Sequence, residues 1–387
     1  MKKIIKLALV LITSFSLGFS ANAGELTVSG SAKATYNIQS SGGGSGNDLG
    51  KGLGITNELS FTGAGELDNG WTWGLMIALD PDAVAADNAA AQNDDTTLTL
   101  TTPYGTVGAF ISAGGLDTTF AYSAAAYKVG ADLGTGAVLN PVDLGAYNSL
   151  QYHSPAGLLP FGTVFKVGYA PSAASGAGAS GDAGGTASTL ANTYTTTVIA
   201  GAADSLADWA PDAVSDVTEY SVVTKPIDGL TVSASYIDID SNLADATAQG
   251  YEAGAVSAKY AYGPVTVGYG RTLIQPYVAS GTGVGVERAL YTENTAISVG
   301  FAVNENLSIS YEDSDSETKI RATSDVNVDT NTTNSQSSTS IQAAYTMGGM
   351  TLAISQQTTD GDGYTKEEAA ASRNDVKETI FAVTMAF

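Results

Sequence analysis

The sequence predicts an all-β protein: a 16-stranded antiparallel transmembrane β-barrel with short periplasmic turns and long extracellular loops. Three observations lead to this fold class. Apolar and polar residues alternate with period two along most of the chain, short and long connections alternate between these segments, and aromatic residues gather near both segment ends. Together these features are typical of barrels that cross an outer membrane.

Residues 1–23 predict a secretory signal peptide that is cleaved, which leaves 24–387 as the barrel domain. This stretch has three lysines in its first six residues, then an apolar run, then an A-x-A sequence at 21–23. A short apolar run that ends in small residues favours a cleaved signal over a membrane anchor. Cleavage removes three lysines and no acid, so the formal charge moves from −23 to −26.

Composition excludes several classes of protein. The chain has no cysteine, so disulfide bonds and thiol chemistry are excluded. After the signal, no stretch approaches the ~20 consecutive apolar residues of a membrane helix. The strong negative charge argues against nucleic acid as a partner, because surfaces that bind nucleic acid are basic.

Sixteen alternating segments are predicted as strands. Each is bounded by turn residues or by a polar stretch, and most are long enough to cross tilted hydrocarbon. The segments are 25–38, 55–67, 70–80, 95–102, 106–112, 146–154, 161–171, 217–225, 230–240, 250–262, 265–275, 288–303, 307–316, 339–347, 350–359 and 376–387.

The connections between these segments fall into two classes that alternate along the chain. Seven are short and contain Gly, Pro, Asn or Asp, which provide turn geometry. This alternation places the short turns at one end of a hairpin array, and an even strand count brings both termini to that end. The eight mostly longer, polar connections are 39–54, 81–94, 113–145, 172–216, 241–249, 276–287, 317–338 and 360–375.

Along each strand, polar and apolar residues occupy alternate positions, called here the polar and the apolar parity. The polar parity is predicted to face a water-filled interior, and the apolar parity is predicted to face lipid. Alternation alone fits a soluble β-sandwich equally well. Two sets of aromatic residues favour the membrane barrel, because amphipathic rings collect at both membrane–water boundaries. The set near the short turns is Trp71, Phe161, Tyr260, Tyr262, Phe301, Tyr345 and Phe387, and the set near the long loops is Tyr36, Tyr169, Tyr220, Tyr236, Tyr269, Tyr291 and Tyr311.

The terminal segment 376–387 alternates up to its last residue, Phe387. Since lipid cannot satisfy the backbone groups of an open strand edge, we expect this segment to pair with 25–38 and close the barrel.

Four stretches carry a resemblance to a known family. They are "GELTVSGSAKATYN" at 24–37, "TPYGTVGAF" at 102–110, "AYGPVTVGYG" at 261–270 and "FAVTMAF" at 381–387. In this order they resemble the Gram-negative general porins, the trimeric family, and among them the alphaproteobacterial type. The resemblance covers essentially all of 24–387.

The resemblance implies that the third long loop, 113–145, folds into the lumen as a constriction and that three barrels associate as a homotrimer. It also implies that Phe387 is an assembly signal read by the barrel-assembly machinery. The expected surroundings are outer-membrane lipid and lipopolysaccharide, in a Gram-negative cell.

The function that this resemblance implies is a porin: a water-filled channel for passive diffusion of small hydrophilic solutes and ions, without catalysis. One alternative is a solute-specific channel for a sugar or an anion. The residues of the polar parity, however, include no evident row of aromatic side chains along the lumen, which is typical of sugar-specific pores. The other is a plugged barrel used for anchoring or adhesion.

Charged residues of the third loop and of the polar parity are candidates for lining the channel or its constriction, because rings of charge set ion preference in pores. A simpler alternative is that the wall lysines are only solvated. Arg271 lies on the apolar parity, which leaves open snorkelling, a trimer interface or a bulge. The candidates are Asp117, Lys128, Asp132 and Asp143 in the loop, and Lys33, Glu58, Lys166 and Lys259 on the wall.

No catalytic site is predicted. His153 is the only histidine, and the adjacent Ser154 would project from the opposite face of a strand, so the two side chains cannot pair.

No cofactor is predicted apart from calcium bound loosely in the outer loops. Asp360 and Asp362 resemble the first ligands of an EF-hand loop, but Ala371 occupies the place of the last acidic ligand. A solvated loop explains the same acids.

Overall fold

The computed structural model describes residues 24–41, 50–80, 92–111, 116, 121–128, 149–170, 214–241, 251–275, 287–325, 328–361 and 376–387. Within these ranges, no helix is long and apolar enough to cross a membrane.

Sixteen strands are present in the described ranges. In chain order they are β1 (Glu25–Ser41), β2 (Gly50–Glu66), β3 (Thr72–Asp80), β4 (Gln92–Thr102), β5 (Gly105–Ile111), β6 (Ser149–His153), β7 (Val164–Ala170), β8 (Val214–Thr224), β9 (Leu230–Ser241), β10 (Tyr251–Tyr262), β11 (Val265–Gln275), β12 (Glu287–Ala302), β13 (Leu307–Asp325), β14 (Val328–Met347), β15 (Met350–Asp360) and β16 (Val376–Ala386).

The strands form one closed barrel in which each strand pairs antiparallel with its neighbours in sequence and β1 pairs with β16. The closure reaches the last residue: Gly30 and Phe387 exchange backbone hydrogen bonds of 2.9 and 3.0 Å. The predicted fold class, strand count and closing pair are therefore confirmed.

The two faces of the barrel have the predicted polarity. On the outer face, Tyr36, Tyr236 and Tyr311 of one aromatic set are exposed, as are Phe301 and Tyr345 of the other. Apolar side chains that are also exposed lie between the two sets. Inward positions carry mainly Ser, Thr, Gln, Ala and Gly, so the barrel is apolar outside and polar inside, as a membrane barrel requires.

The predicted start of the seventh strand is wrong. The sequence analysis starts a strand at Phe161, but Phe161 lies in a 3₁₀ turn, Pro160–Gly162, with a φ of 60°. β7 begins only at Val164. Proline lacks a backbone N–H and glycine tolerates turn geometry, so this tripeptide forms a turn in spite of its aromatic residue.

The predicted outer loop 317–338 is also wrong, because β13 and β14 extend through most of it. Their register continues without interruption from Tyr311 opposite Ile341 to Glu317 opposite Ser335. The added residues are mostly polar on both parities, so no apolar alternation marks them as a strand. Where a hairpin extends beyond the hydrocarbon, the backbone hydrogen bonds between its two strands can continue without an apolar face.

Candidate lumen constriction

Part of the third loop lies inside the barrel. Residues 121–128 run along the inner face from β10 to β14, and Leu116 lies against β8, where its backbone N–H donates to Glu219 Oε2 at 2.7 Å. Four strand spacings of ~4.8 Å make ~19 Å, somewhat less than the ~23 Å that seven fully extended residues span, so the segment crosses the strands in a largely extended form. The prediction that the third loop folds into the lumen is confirmed for these residues.

Three alanines of segment 121–128 attach it to the wall through their backbone. Each donates its N–H to a serine hydroxyl that faces inward from a different strand. A buried backbone N–H needs such a partner when water is displaced. The pairs are Ala121 with Ser257 on β10 at 3.3 Å, Ala124 with Ser298 on β12 at 2.7 Å, and Ala126 with Ser310 on β13 at 2.8 Å.

Two inward glycines let the segment approach the wall closely. A Cβ atom on Gly268 would lie 1.7 Å from the carbonyl oxygen of Tyr122, and one on Gly300 would lie 2.5 Å from that of Ala124. Real Cβ atoms do not approach backbone oxygens this closely. Only glycine therefore fits at both positions while the segment stays docked.

Charged wall residues hold the segment as well. Glu312 accepts a hydrogen bond from the hydroxyl of Ser123, and the Lys259 ammonium donates to the Ser123 carbonyl oxygen at 3.3 Å. Lys259 thus faces inward, but its ammonium contacts the backbone of the docked segment.

The end of the segment is fixed at β14. Gln342 accepts from the backbone N–H groups of Tyr127 and Lys128 at 3.1 and 3.0 Å, and it donates to the Lys128 carbonyl at 2.7 Å. Ala126 and Tyr127 also pack against the small cluster of Ala344, Ala353 and Ala382. Burial raises the pKa of Tyr127 above its ordinary value, so its phenol stays neutral at physiological pH.

A polar cavity of about 610 Å³ lies between this end of the segment and strands β1, β2, β15 and β16. Lys33 and Glu58 line it from the wall, and Lys128 lines it from the segment. The rest of the lining is Ser31, Thr56, Asn57, Thr351 and Thr384 on the wall and Ala126 and Tyr127 on the segment. Two ammonium groups and one carboxylate thus share the same water-accessible space.

Lys166 faces inward elsewhere on the wall, opposite His153 in the β6–β7 register. His153 Nε2 hydrogen-bonds Gln151 Oε1 at 2.9 Å, and its ring lies 5.7 Å from that of Phe110. Ser154 is buried, and its hydroxyl accepts from the Phe165 N–H at 2.9 Å. The side chains of His153 and Ser154 therefore hydrogen-bond to different partners.

Several candidate residues lie outside the described ranges, namely Asp117, Asp132, Asp143 and Asp362. Asp360 ends β15 opposite Ser337. Among the residues that the structure describes, no group of three or more His, Asp or Glu side chains could hold a metal ion. Loosely bound calcium stays a prediction.

Arg271 projects outward, as its parity predicts, and forms an ion pair with Glu293 on β12. The β10–β11 and β11–β12 registers are regular around it, so no bulge reverses its direction. Of the three alternatives, the bulge is therefore wrong.

The neutral residues that dock the segment were not found from the sequence. They are small or neutral and look like ordinary polar-parity residues of a barrel wall. The one available signal was the run of inward Ser, Gly and Gln on five consecutive strands. The missed set is Ser257, Gly268, Ser298, Gly300, Ser310 and Gln342.

A family model described as Gram-negative porin matches residues 8–384. None of the curated proteins compared with this chain matches it. Solved structures that share the fold include the following three, at identities low enough that the likeness concerns the fold alone. The trimer form of OmpT, an outer membrane protein of Vibrio cholerae, is 10% identical, with 95% of this chain and 100% of that chain covered and a TM-score of 0.60. An anion-selective porin from Comamonas acidovorans is 12% identical, with 94% and 100% covered and a TM-score of 0.58. The outer membrane channel DcaP of Acinetobacter baumannii is 12% identical, with 96% and 99% covered and a TM-score of 0.58.

Proposed function

This chain belongs to the Gram-negative porins and is an outer-membrane channel for passive diffusion of small hydrophilic solutes; we propose that its lumen favours anionic solutes. The filter is the cavity between Lys33 and Lys128. Solutes pass it without any covalent step, and their charge and size decide how readily they enter.

The observation that carries this proposal is the local charge of the cavity, where two lysines face one glutamate. Three other acids of the inner wall, each 2% exposed, accept hydrogen bonds outside this cavity. Glu219 and Glu312 accept from the docked loop, and Glu378 accepts from Asn37 and Gln39. A solute in the cavity therefore meets mainly the two ammonium groups.

The large negative charge of the whole chain does not decide the preference of the lumen. Charges in water are screened beyond about 8–10 Å at physiological salt, so only groups close to the solute path act strongly. The anion-selective porin from Comamonas acidovorans has the same fold, which makes an anion filter a reasonable use of this architecture.

We also propose that the barrel works as a homotrimer, because one structurally similar protein was solved in a trimer form. Signal cleavage after Ala23 would deliver the chain to the periplasm. Phe387 would then serve as the assembly signal, a role supported by its pairing with Gly30 at the closing seam. Lipid and lipopolysaccharide would contact the apolar outer face.

The test is a planar-bilayer measurement of reversal potential in a KCl gradient. The unsubstituted protein should give stepwise ohmic openings and prefer chloride. Lys33→Gln combined with Lys128→Gln should shift the reversal potential towards potassium, and Glu58→Gln should shift it the other way.

Two results would contradict the proposal. An unchanged reversal potential in the double lysine variant would mean that these side chains do not act on passing ions. A purified, folded barrel that never conducts would instead point to a plugged lumen.

A further inference from the structure

We infer that Gln342 is a positioning residue for Lys128, and that it sets ion preference by fixing where the Lys128 ammonium stands in the lumen. The inference rests on the proposed charge filter and adds to it a residue that carries no charge.

The Gln342 side-chain amide uses all four of its hydrogen-bonding positions. Its oxygen accepts from the N–H groups of Tyr127 and Lys128, at 3.1 and 3.0 Å. Its nitrogen donates to the Lys128 carbonyl oxygen at 2.7 Å and to the Ser340 hydroxyl at 3.2 Å. The side chain is 2% exposed, so water does not compete for these positions.

Few residue types could make this set of contacts. A glutamate carboxylate accepts but cannot donate to the Lys128 carbonyl, and a serine hydroxyl is too short to reach both sides of one residue. Asparagine has the same amide but is one methylene shorter. Glutamine on the inner face of β14 therefore matches the backbone of Lys128 in both chemistry and reach.

Both backbone polar groups of Lys128 are bonded to this one amide, so the start of its side chain is fixed against β14. On the preceding residues, the Ala126 N–H is held by Ser310 and Tyr127 packs on inward alanines. Lys128 itself is exposed and lines the cavity opposite Lys33. The charge is thus held in the passage by neutral contacts behind it.

The experiment is a double-mutant cycle read by reversal potential in a KCl gradient. Gln342→Ala, Lys128→Gln and the double variant are compared with the unsubstituted barrel. We expect Gln342→Ala to shift the reversal potential towards potassium by less than Lys128→Gln does. In the Lys128→Gln background, Gln342→Ala should cause no further shift, because the charge that it positions is gone.

Gln357→Ala is the matched control. Gln357 is also an inward, buried glutamine, on the adjacent strand β15, but its amide donates to Ser338 on the wall at 2.6 Å. It should leave the reversal potential unchanged. Gln342→Met, which keeps the approximate length and loses the amide without adding a charge, should still shift it, and heat-dependent migration on gels checks that each barrel is folded.

Two outcomes would overturn the inference alone while leaving the filter intact. One is that Gln342→Ala leaves the reversal potential unchanged while Lys128→Gln shifts it. The other is that Gln342→Ala shifts the reversal potential equally with Lys128 present and with Lys128→Gln. If Lys128→Gln leaves the reversal potential unchanged, both the charge filter and this inference are wrong.

Discussion

Two parts of the inner wall have similar sequence chemistry and different roles. The covered wall is the inner face of β10–β14, and the open wall is the inner face of β1 and β2. On the covered wall, Ser298 is 0% exposed and Gln342 is 2% exposed. On the open wall, Thr56 and Glu58 are exposed to the lumen.

Polar side chains that face inward therefore have two different roles in this barrel. On the covered wall, hydroxyl and amide groups replace water as partners for the backbone of segment 121–128. On the open wall, polar groups remain solvated and can act on solutes. The same rule of polar residues inside therefore produces an interface on one side and a channel surface on the other.

The largest expected effect comes from adding bulk beneath the docked segment. Gly268→Val would place a Cβ 1.7 Å from the Tyr122 carbonyl oxygen. Overpacking of this kind costs about 1–3 kcal/mol, and the segment should be pushed into the passage. We predict lower single-channel conductance in planar bilayers.

Gly52→Val is the matched control on the open wall, because its added Cβ would meet nothing within 4 Å. Its conductance should equal that of the unsubstituted barrel. Equal conductance in Gly268→Val and Gly52→Val would mean that the segment does not lie against β11.

A smaller effect is expected from substituting Lys259 or Lys33, which both face inward but lie on different walls. Lys259 donates to the Ser123 carbonyl, and losing a charge-assisted bond of this kind costs about 1.5 kcal/mol of docking free energy. Lys259→Gln should therefore increase current noise with little change in reversal potential, whereas Lys33→Gln should shift the reversal potential. If Lys259→Gln shifted the reversal potential and Lys33→Gln only increased current noise, the distinction between the covered and the open wall would be wrong.

The smallest effect is expected on the outer face of the covered wall. The Arg271–Glu293 pair projects from the outer face, on the opposite side of the sheet from the lumen, and its side chains are 55% and 34% exposed. Arg271→Ala should therefore leave conductance and reversal potential unchanged. A clear change in ion preference would show that the outer face also influences the lumen.

Much of the fold could be predicted from the sequence, because lipid imposes a simple rule on each strand. Alternation assigned the lumen side of Lys33 and the lipid side of Arg271, and the barrel needed its terminal segment for closure. The prediction failed at 317–338, where strands continue beyond lipid and the apolar signal stops. It also failed at Phe161, where an aromatic residue belongs to a turn.

The docking of the third loop could be predicted only in outline. Alternation along one strand says that Ser298 and Gln342 face inward, but not that a loop distant in sequence crosses them. That contact depends on the path of residues 121–128 through three-dimensional space. The alternation within a single strand contains no information about that path, and only the run of inward Ser, Gly and Gln across five neighbouring strands hints at it.

The most direct test of the docked segment is a disulfide between Ala124→Cys and Ser298→Cys, in a chain that has no other cysteine. The Ser298 hydroxyl lies 2.7 Å from the backbone nitrogen of Ala124, so a thiol at 298 would lie beside residue 124 and no Cβ would be added at a glycine. Oxidation should therefore protect both thiols from alkylation and leave conductance close to that of the reduced channel. Free thiols after oxidation, or a bridge from Ala124→Cys to Thr56→Cys on the open wall instead, would contradict the docked position.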